Sequence, residues 1–200
     1  MSNDELLSIF RTALDFVVEH HSPDLDWVSS RSSLCESFED FFEEYCYVVI
    51  ASGFRGKTAA KLVEKLVPLA SNKSEMLKVF NNSRKINAIS TVYQLKDKWN
   101  TLRISFKDMD SLKQFPYIGD VTKYHLARNI GLVSCVKPDL HLVRLAESCT
   151  FASPLKMVEF IKKETKTNLS LGAIDFVLWI FLSHDKGKML DCCNGGFRLR

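Results

Sequence analysis

The stretch FPYIGDVTKYHLARNIG, residues 115–131, decides how this 200-residue chain is read. DSLKQ, just before it, ends a short helix, and Phe115-Pro116-Tyr117-Ile118-Gly119 turns the chain. Asp120 is then placed to cap a second helix that runs to Gly131, a natural C′ residue because it takes positive φ without a Cβ. Gly119 also lacks a Cβ, so backbone can approach a ligand there, and the amides after it point out of a helix N-terminus, a ready anion site. A helix–hairpin–helix of this kind holds nucleic acid through phosphate, without regard to base sequence. An ordinary corner between two helices has the same spacing, and the stretch alone leaves both readings open.

Outward from the hairpin, the hydrophobic period is helical almost everywhere. Leu6, Phe10, Ala13 and Val17 form one stripe, and Phe38, Phe41, Phe42, Tyr45 and Val49 form another. Leu142, Leu145, Ala146 and Cys149 repeat the rule, as do Ile174, Val177, Leu178 and Phe181. ISTVYQL has strand composition but lies inside the longer helical pattern SRKINAISTVYQLKDKW. Punctuation falls at HSPDLDW, ASGFRGK, FPYIGD, CVKPD and FASP, where Ser153 can cap a helix starting at Pro154. There is no internal repeat or long linker. The expected class is all-α, in nine or ten short helices.

Composition bounds the function. With 46% hydrophobic residues, 14 Phe and three Trp, the core needs neither metal nor disulfide. The six cysteines (Cys35, Cys46, Cys135, Cys149, Cys192, Cys193) show no regular spacing, and idle thiols are expected. No apolar run approaches the roughly 20 residues that span a bilayer, and the acidic amphipathic start lacks a secretory n-region. The expectation is an intracellular, cytoplasmic protein with no membrane partner. The net charge of +3 conceals −9 over residues 1–50 and +12 over the rest. That division suits a basic face turned to a polyanion, and equally a solvated surface.

FPYIGDVTKYHLARNIG followed by VKPDLHLVRLAE resembles the helix–hairpin–helix–Gly/Pro–Asp motif of the endonuclease III superfamily of DNA glycosylases. Pro116, Ile118, Gly119 and Thr122 match the hairpin pattern, and Asp139, His141 and Arg144 match the Asp-x-His-x-x-Arg setting of the essential carboxylate. The resemblance implies two helical lobes around a DNA-binding cleft. Residues 36–132 would form a six-helix barrel ending in the hairpin (109–131); residues 1–35 and 133–200 would form the lobe carrying Asp139, facing the hairpin. It further implies that Pro116, Tyr117, Ile118, Gly119, Val121, Thr122, Lys123 and His141 meet DNA, in a monomer bound to a duplex with an extrudable base. No catalytic metal is implied, although the family's hairpin carbonyls can hold a monovalent ion.

Departures from the pattern shape the expected chemistry. Tyr117 stands where the hairpin usually has its first glycine, and Asp120 brings a carboxylate toward the expected phosphate. Val121, 18 residues before Asp139, occupies the position of the lysine in the family's lyase members, so no Schiff base is expected there. Lys123 lies about 200° further around the helix and is expected on phosphate. DCCNGGFRLR offers an adjacent cysteine pair instead of four spaced ligands, so neither an iron–sulfur cluster nor any other cofactor is expected.

What remains is monofunctional hydrolysis of an N-glycosidic bond. A carboxylate facing C1′ gains most when the sugar becomes oxocarbenium-like, and it can also orient or deprotonate water. Asp139 is the candidate; its plain role as the N-cap of helix 139–149 is compatible with that. The base must leave the stack, and the Gly53-Phe54-Arg55 tip of SGFRGK is the candidate wedge and pocket edge, with Phe54 equally readable as core. Glu39, Asp40, Glu43 and Glu44 read as a solvated face and not a metal site; Trp27, Trp99 and Trp179 read as core or as anchors between lobes, and His20, His21 and His184 carry no ligand spacing. Three functions stay open. The first is excision of damaged, mismatched or modified bases. The second is action on bulky, hypermodified pyrimidines of foreign DNA, as antiviral defence or base modification, with Val121 and Gly53 leaving room. The third is a non-catalytic DNA-binding module.

Overall fold

The computed structural model describes residues 1–184, and among these every regular element is helical, with no strand. The chain divides into two units, Arg31–Val133 and the combination of Met1–Ser30 with the residues from Ser134 on. Cys192, Cys193 and the GGFRLR tail lie outside the described residues.

The terminal unit holds α1 (Asn3–His20) and α2 (Ser22–Ser30) from the start of the chain. A capping box opens α1: the Ser2 hydroxyl accepts from the Glu5 amide, and the Glu5 carboxylate accepts from the Ser2 amide. HSPDLDW, read as a turn, is instead the first part of α2, because Pro23 sits in the first turn where no amide donor is needed.

The other unit contains α3 (Phe38–Ala51), α4 (Gly56–Leu66), α5 (Lys73–Val79), α6 (Ser83–Tyr93), α7 (Trp99–Ser105) and α8 (Thr122–Asn129). Its centre is α3, which packs against α4, α6 and α8. Phe41 stacks on Trp99 with centroids 4.9 Å apart and meets Phe115 at 5.1 Å, which ties the hairpin's first residue into the core. Residues 31–35, expected with the terminal helices, pack here. The Cys35 amide donates to Ile130 O at 2.8 Å, and Arg103 donates to Cys35 O at 2.9 Å and Leu34 O at 3.3 Å.

The chain then returns to the terminal unit as α9 (Leu140–Ser148), α10 (Pro154–Thr165) and α11 (Leu171–His184). As the sequence implies, Ser153 caps α10 and Pro154 is its first residue. Almost all of α11 is buried, and it is the axis on which α1, α2, α9 and α10 pack. The described residues thus form eleven α-helices, against the nine or ten expected; short pieces such as α5 and α7 have too few turns to show a period.

Of the acidic cluster on α3, Glu44 is not a solvated residue. Its carboxylate accepts from Asn129 Nδ2 at 2.8 Å and lies 3.7 Å from Arg31, and burial raises its pKa to about 7. Glu39 pairs with Lys96 at 2.8 Å. The four described cysteines are buried and unbridged, and burial raises the thiol pKa of Cys35 to about 11. No helix among the described residues is long and apolar enough to cross a membrane.

Candidate functional site

The hairpin is built by a turn that its sequence makes difficult. Ile118 N donates to Phe115 O at 3.2 Å, Pro116 takes the second position, and Tyr117 takes the third with φ of 65°. That is the arrangement of a type II turn, whose third position favours glycine. A side chain there costs about 1–2 kcal/mol, which surrounding bonds offset. The Tyr45 hydroxyl of α3 donates to Pro116 O at 2.9 Å. Thr122 Oγ1 donates to Tyr117 O at 2.9 Å and accepts from Gly119 N at 2.8 Å. The left-handed position of the turn, which favours glycine, is therefore formed here by Tyr117.

Two details of the hairpin differ from expectation. Asp120 does not cap α8: Val121 is the N-cap residue without a side-chain bond, and Asp120 pairs with Lys113 in front of the helix. Thr122 closes the turn instead, so no capping carboxylate is needed. Lys123 is not a free cation for phosphate. Its Nζ lies 2.8 Å from Asp110 and 3.9 Å from Asp120, and its side chain is 12% exposed. Asp110, held by Lys123 and Lys113, and Asp120, held by Lys113, both titrate below the usual carboxylate range.

What the hairpin does offer is backbone. The amides of Asp120, Val121 and Thr122 have no protein acceptor among the described residues, while Lys123 N returns to Gly119 O at 3.0 Å. A Cβ at Gly119 would meet nothing within 4 Å, and Gly119 does not take positive φ. Approach of an external group is open there, and the conformational demand falls elsewhere. It falls on Gly131, with φ of 71°, which ends α8 in a Schellman motif: Leu132 N donates to Ala127 O and Gly131 N to Arg128 O. A Cβ on Gly131 would stand 2.0 Å from Ser33 O. Val121 is exposed at the head of α8.

Asp139, in the terminal unit, is the N-cap of α9. Its Oδ1 accepts from His141 N at 3.0 Å and Leu142 N at 3.1 Å. Oδ2 has no donor among the described residues, so one oxygen of the side chain caps the helix while the other is left unbonded. Leu140 beside it is exposed and His141 half-buried.

Sequence reasoning missed the residue that supports this cap. Asp175, 1% exposed within α11, accepts from the backbone amide of Lys137 at 3.1 Å. Close by in sequence, Ser134 Oγ accepts from Gly172 N at 3.1 Å. The segment leading to Pro138 and Asp139 is thus bonded twice to α11. The available signal was a lone carboxylate in the otherwise apolar run AIDFVLWIFL.

The Gly53-Phe54-Arg55 turn lies between α3 and α4. Gly53 has φ of 130°, and Phe54 is 41% exposed, with its ring edge-on to Phe80 at 5.5 Å. Phe54 is therefore not core. Lys85 of α6, 6% exposed, holds the turn from beneath. Its Nζ donates to Ile50 O and Ser52 O at 3.0 Å each, and lies 5.3 Å from the Phe54 ring centre. The carbonyl end of α3 suits a cation, while burial lowers the lysine's pKa. Lys85 was overlooked although Ala88, Ile89 and Val92 follow it at core spacing. Among the described residues no group of acids, histidines and cysteines has the makings of a metal site.

No protein-family model matches the chain, and no curated protein does. Among solved structures, the fold is similar to the crystal structure of Methanocaldococcus jannaschii 8-oxoguanine glycosylase/lyase in complex with a 15mer DNA containing 8-oxoguanine. The TM-score is 0.59 at 18% identity, over 86% of this chain and 96% of that one. The likeness shows the fold.

Proposed function

We propose that this chain is a monofunctional DNA glycosylase that hydrolyses the N-glycosidic bond of a damaged, mismatched or modified base and leaves an abasic site. The observation that carries the reading is the divided carboxylate of Asp139, with Oδ1 spent on the α9 cap and Oδ2 open. The helix N-terminus fixes the carboxylate through one oxygen and leaves the other unbonded among the described residues. Such a charge stabilises an oxocarbenium-like sugar more than the neutral substrate, which is the condition for catalysis. The same oxygen can take a proton from attacking water. The three open amides of the hairpin supply sequence-independent phosphate contacts, and exposed Phe54 is the wedge that fills the gap left by the base. The chemistry assigned uses the chain's own residues and water, with one copy bound to duplex DNA.

The solved neighbour is named as a glycosylase/lyase. Lyase chemistry needs an accessible amine at the sugar. Here the matching position is Val121, and the nearest lysine in the motif, Lys123, is held by Asp110. Both observations support hydrolysis without strand cleavage.

An excision screen tests the reading, with duplexes carrying oxidised, alkylated, deaminated and mismatched bases, and with DNA bearing glucosylated pyrimidines. The last is included because a Cβ at Gly53 would meet nothing nearer than Lys85 Nζ at 3.9 Å, so the turn has room beside a bulky base. Release of a base by the wild type and not by Asp139→Asn supports the proposal. No release from any substrate sinks it.

A further inference from the structure

The outward face of α4 carries cations that the proposed reaction does not use. Lys57, Lys61 and Lys65 recur every four residues, about 6 Å apart at 1.5 Å rise per residue. All three are exposed, opposite the buried Ala59, Val63 and Leu66. Arg55, the N-cap, adds a further exposed cation at the helix head, and Glu64 is the helix's one acid. None of these five groups is in an ion pair among the described residues. Several other surface lysines are matched, Lys78 with Glu75, Lys96 with Glu39, Lys113 and Lys123 with Asp110, and Lys156 with Glu159. Lys73, Lys98 and Lys107 are exposed and unmatched too among the described residues, but they do not share one helix face.

The row is also continuous with the features already assigned to DNA. It begins at the Phe54 turn that Lys85 holds. The head of α4 fits closely against Tyr47, since a Cβ at Gly56 would stand 3.0 Å from the Tyr47 hydroxyl. The Tyr47 ring in turn meets His125 of the hairpin helix edge-on at 5.6 Å. Hairpin helix, wedge turn and lysine row are therefore linked within one unit.

We infer that the outward face of α4 is a phosphate-binding track, along which the DNA backbone runs beyond the wedge. This rests on the DNA-binding part of the proposed function. Regularly spaced, unmatched lysines fit the repeating charge of one strand. The face is sequence-blind, so it adds affinity without choosing the base.

The experiment is a salt series of binding to an undamaged duplex, followed by fluorescence anisotropy with the full chain. Wild type is compared with Lys57→Ala/Lys61→Ala/Lys65→Ala and with a charge-matched control, Lys73→Ala/Lys98→Ala/Lys107→Ala, whose three side chains are also exposed. Thermal melts check that both fold. The α4 variant is expected to reduce the slope of log K against log salt by roughly 2.7, at about 0.9 per phosphate contact, and the control by far less. An unchanged slope, or equal reductions in both, overturns the track. An α4 variant that binds DNA like the wild type but loses an acidic protein partner overturns it too. A wild-type chain that binds no duplex overturns track and reading together. A wild type that binds, beside an α4 variant of unchanged slope, overturns the track alone, whatever the excision screen gives.

Discussion

The backbone amide of Lys137 donates to the buried carboxylate of Asp175 over 3.1 Å, two residues before the carboxylate proposed to face the sugar. One acid, inside the terminal unit, thus fixes the chain that presents another. Asp175→Asn keeps an acceptor at that place, whereas Asp175→Ala leaves the amide unpaired. The alanine variant is expected to lose about 1–3 kcal/mol of stability, seen as a lower denaturant midpoint, with faster hydrogen exchange at Lys137. Asn should restore most of both. Equal exchange in wild type and Asp175→Ala would remove the positioning role.

Asp139→Asn keeps the cap acceptor and removes the charge. Base release is expected to fall by about 10²- to 10³-fold, the scale seen on losing one electrostatic stabiliser, with DNA affinity largely kept. Asp139→Ala should in addition lose about 1 kcal/mol of stability through the cap. Single-turnover kinetics and unfolding curves check the two effects separately. A wild-type rate in Asp139→Asn would show that another group does the chemistry.

The product strand should be intact, carrying an abasic site that breaks only with alkali or heat. Borohydride should trap little covalent adduct, since Val121 has no amine and Lys123 is ion-paired. Strong trapping that disappears in Lys123→Ala would mean that the Asp110 pair opens on DNA and that the enzyme is a lyase.

Glycines of the hairpin region should respond in opposite ways. Gly131→Ala forces a side chain into φ of 71° and against Ser33 O, and is expected to cost well over 1 kcal/mol. Gly119→Ala should stay within about 0.5 kcal/mol, because its Cβ meets open space. If Gly119→Val then binds all duplexes more weakly while folding normally, phosphate does approach at that point. Unchanged affinity would reduce the hairpin to a corner.

Glu44 makes stability depend on pH. Burial raises its folded pKa from 4.5 to about 7. Between those values the folded state binds the extra proton, so this contribution is present below pH 4.5 and is lost as pH rises through about 7. Relative to Glu44→Gln, which cannot titrate, the wild type should lose stability across that interval. Urea midpoints at half-unit steps of pH check it, and parallel curves would contradict it.

The sequence made the helical class legible because α1, α3, α9 and α11 each keep an apolar stripe long enough to show its period. The N-cap role of Asp139 was legible through the capping logic of a carboxylate after Pro138. The misreadings have one physical origin: they depend on which polar group takes which partner. Asp120 looked like a cap because it directly precedes the helical pattern, yet Lys113, seven positions earlier, claims it. Lys123 looked free because Asp110 lies 13 residues away, brought near only by the turn. Lys85 and Asp175 are charges on core-facing positions, and their acceptor and donor are backbone groups that carry no sequence signature.

The hydroxyl that Tyr45 sends to Pro116 O has a consequence for how quickly the protein can engage its target. Tyr45 is fully buried on the central helix of its unit, so the turn opens only if that bond breaks. Under the proposed function, the loop therefore meets a duplex already shaped, with little ordering entropy left to lose on contact. Encounter should proceed with one association phase and no slow rearrangement. Tyr45→Phe, which deletes only the oxygen, is where a second phase would first be seen.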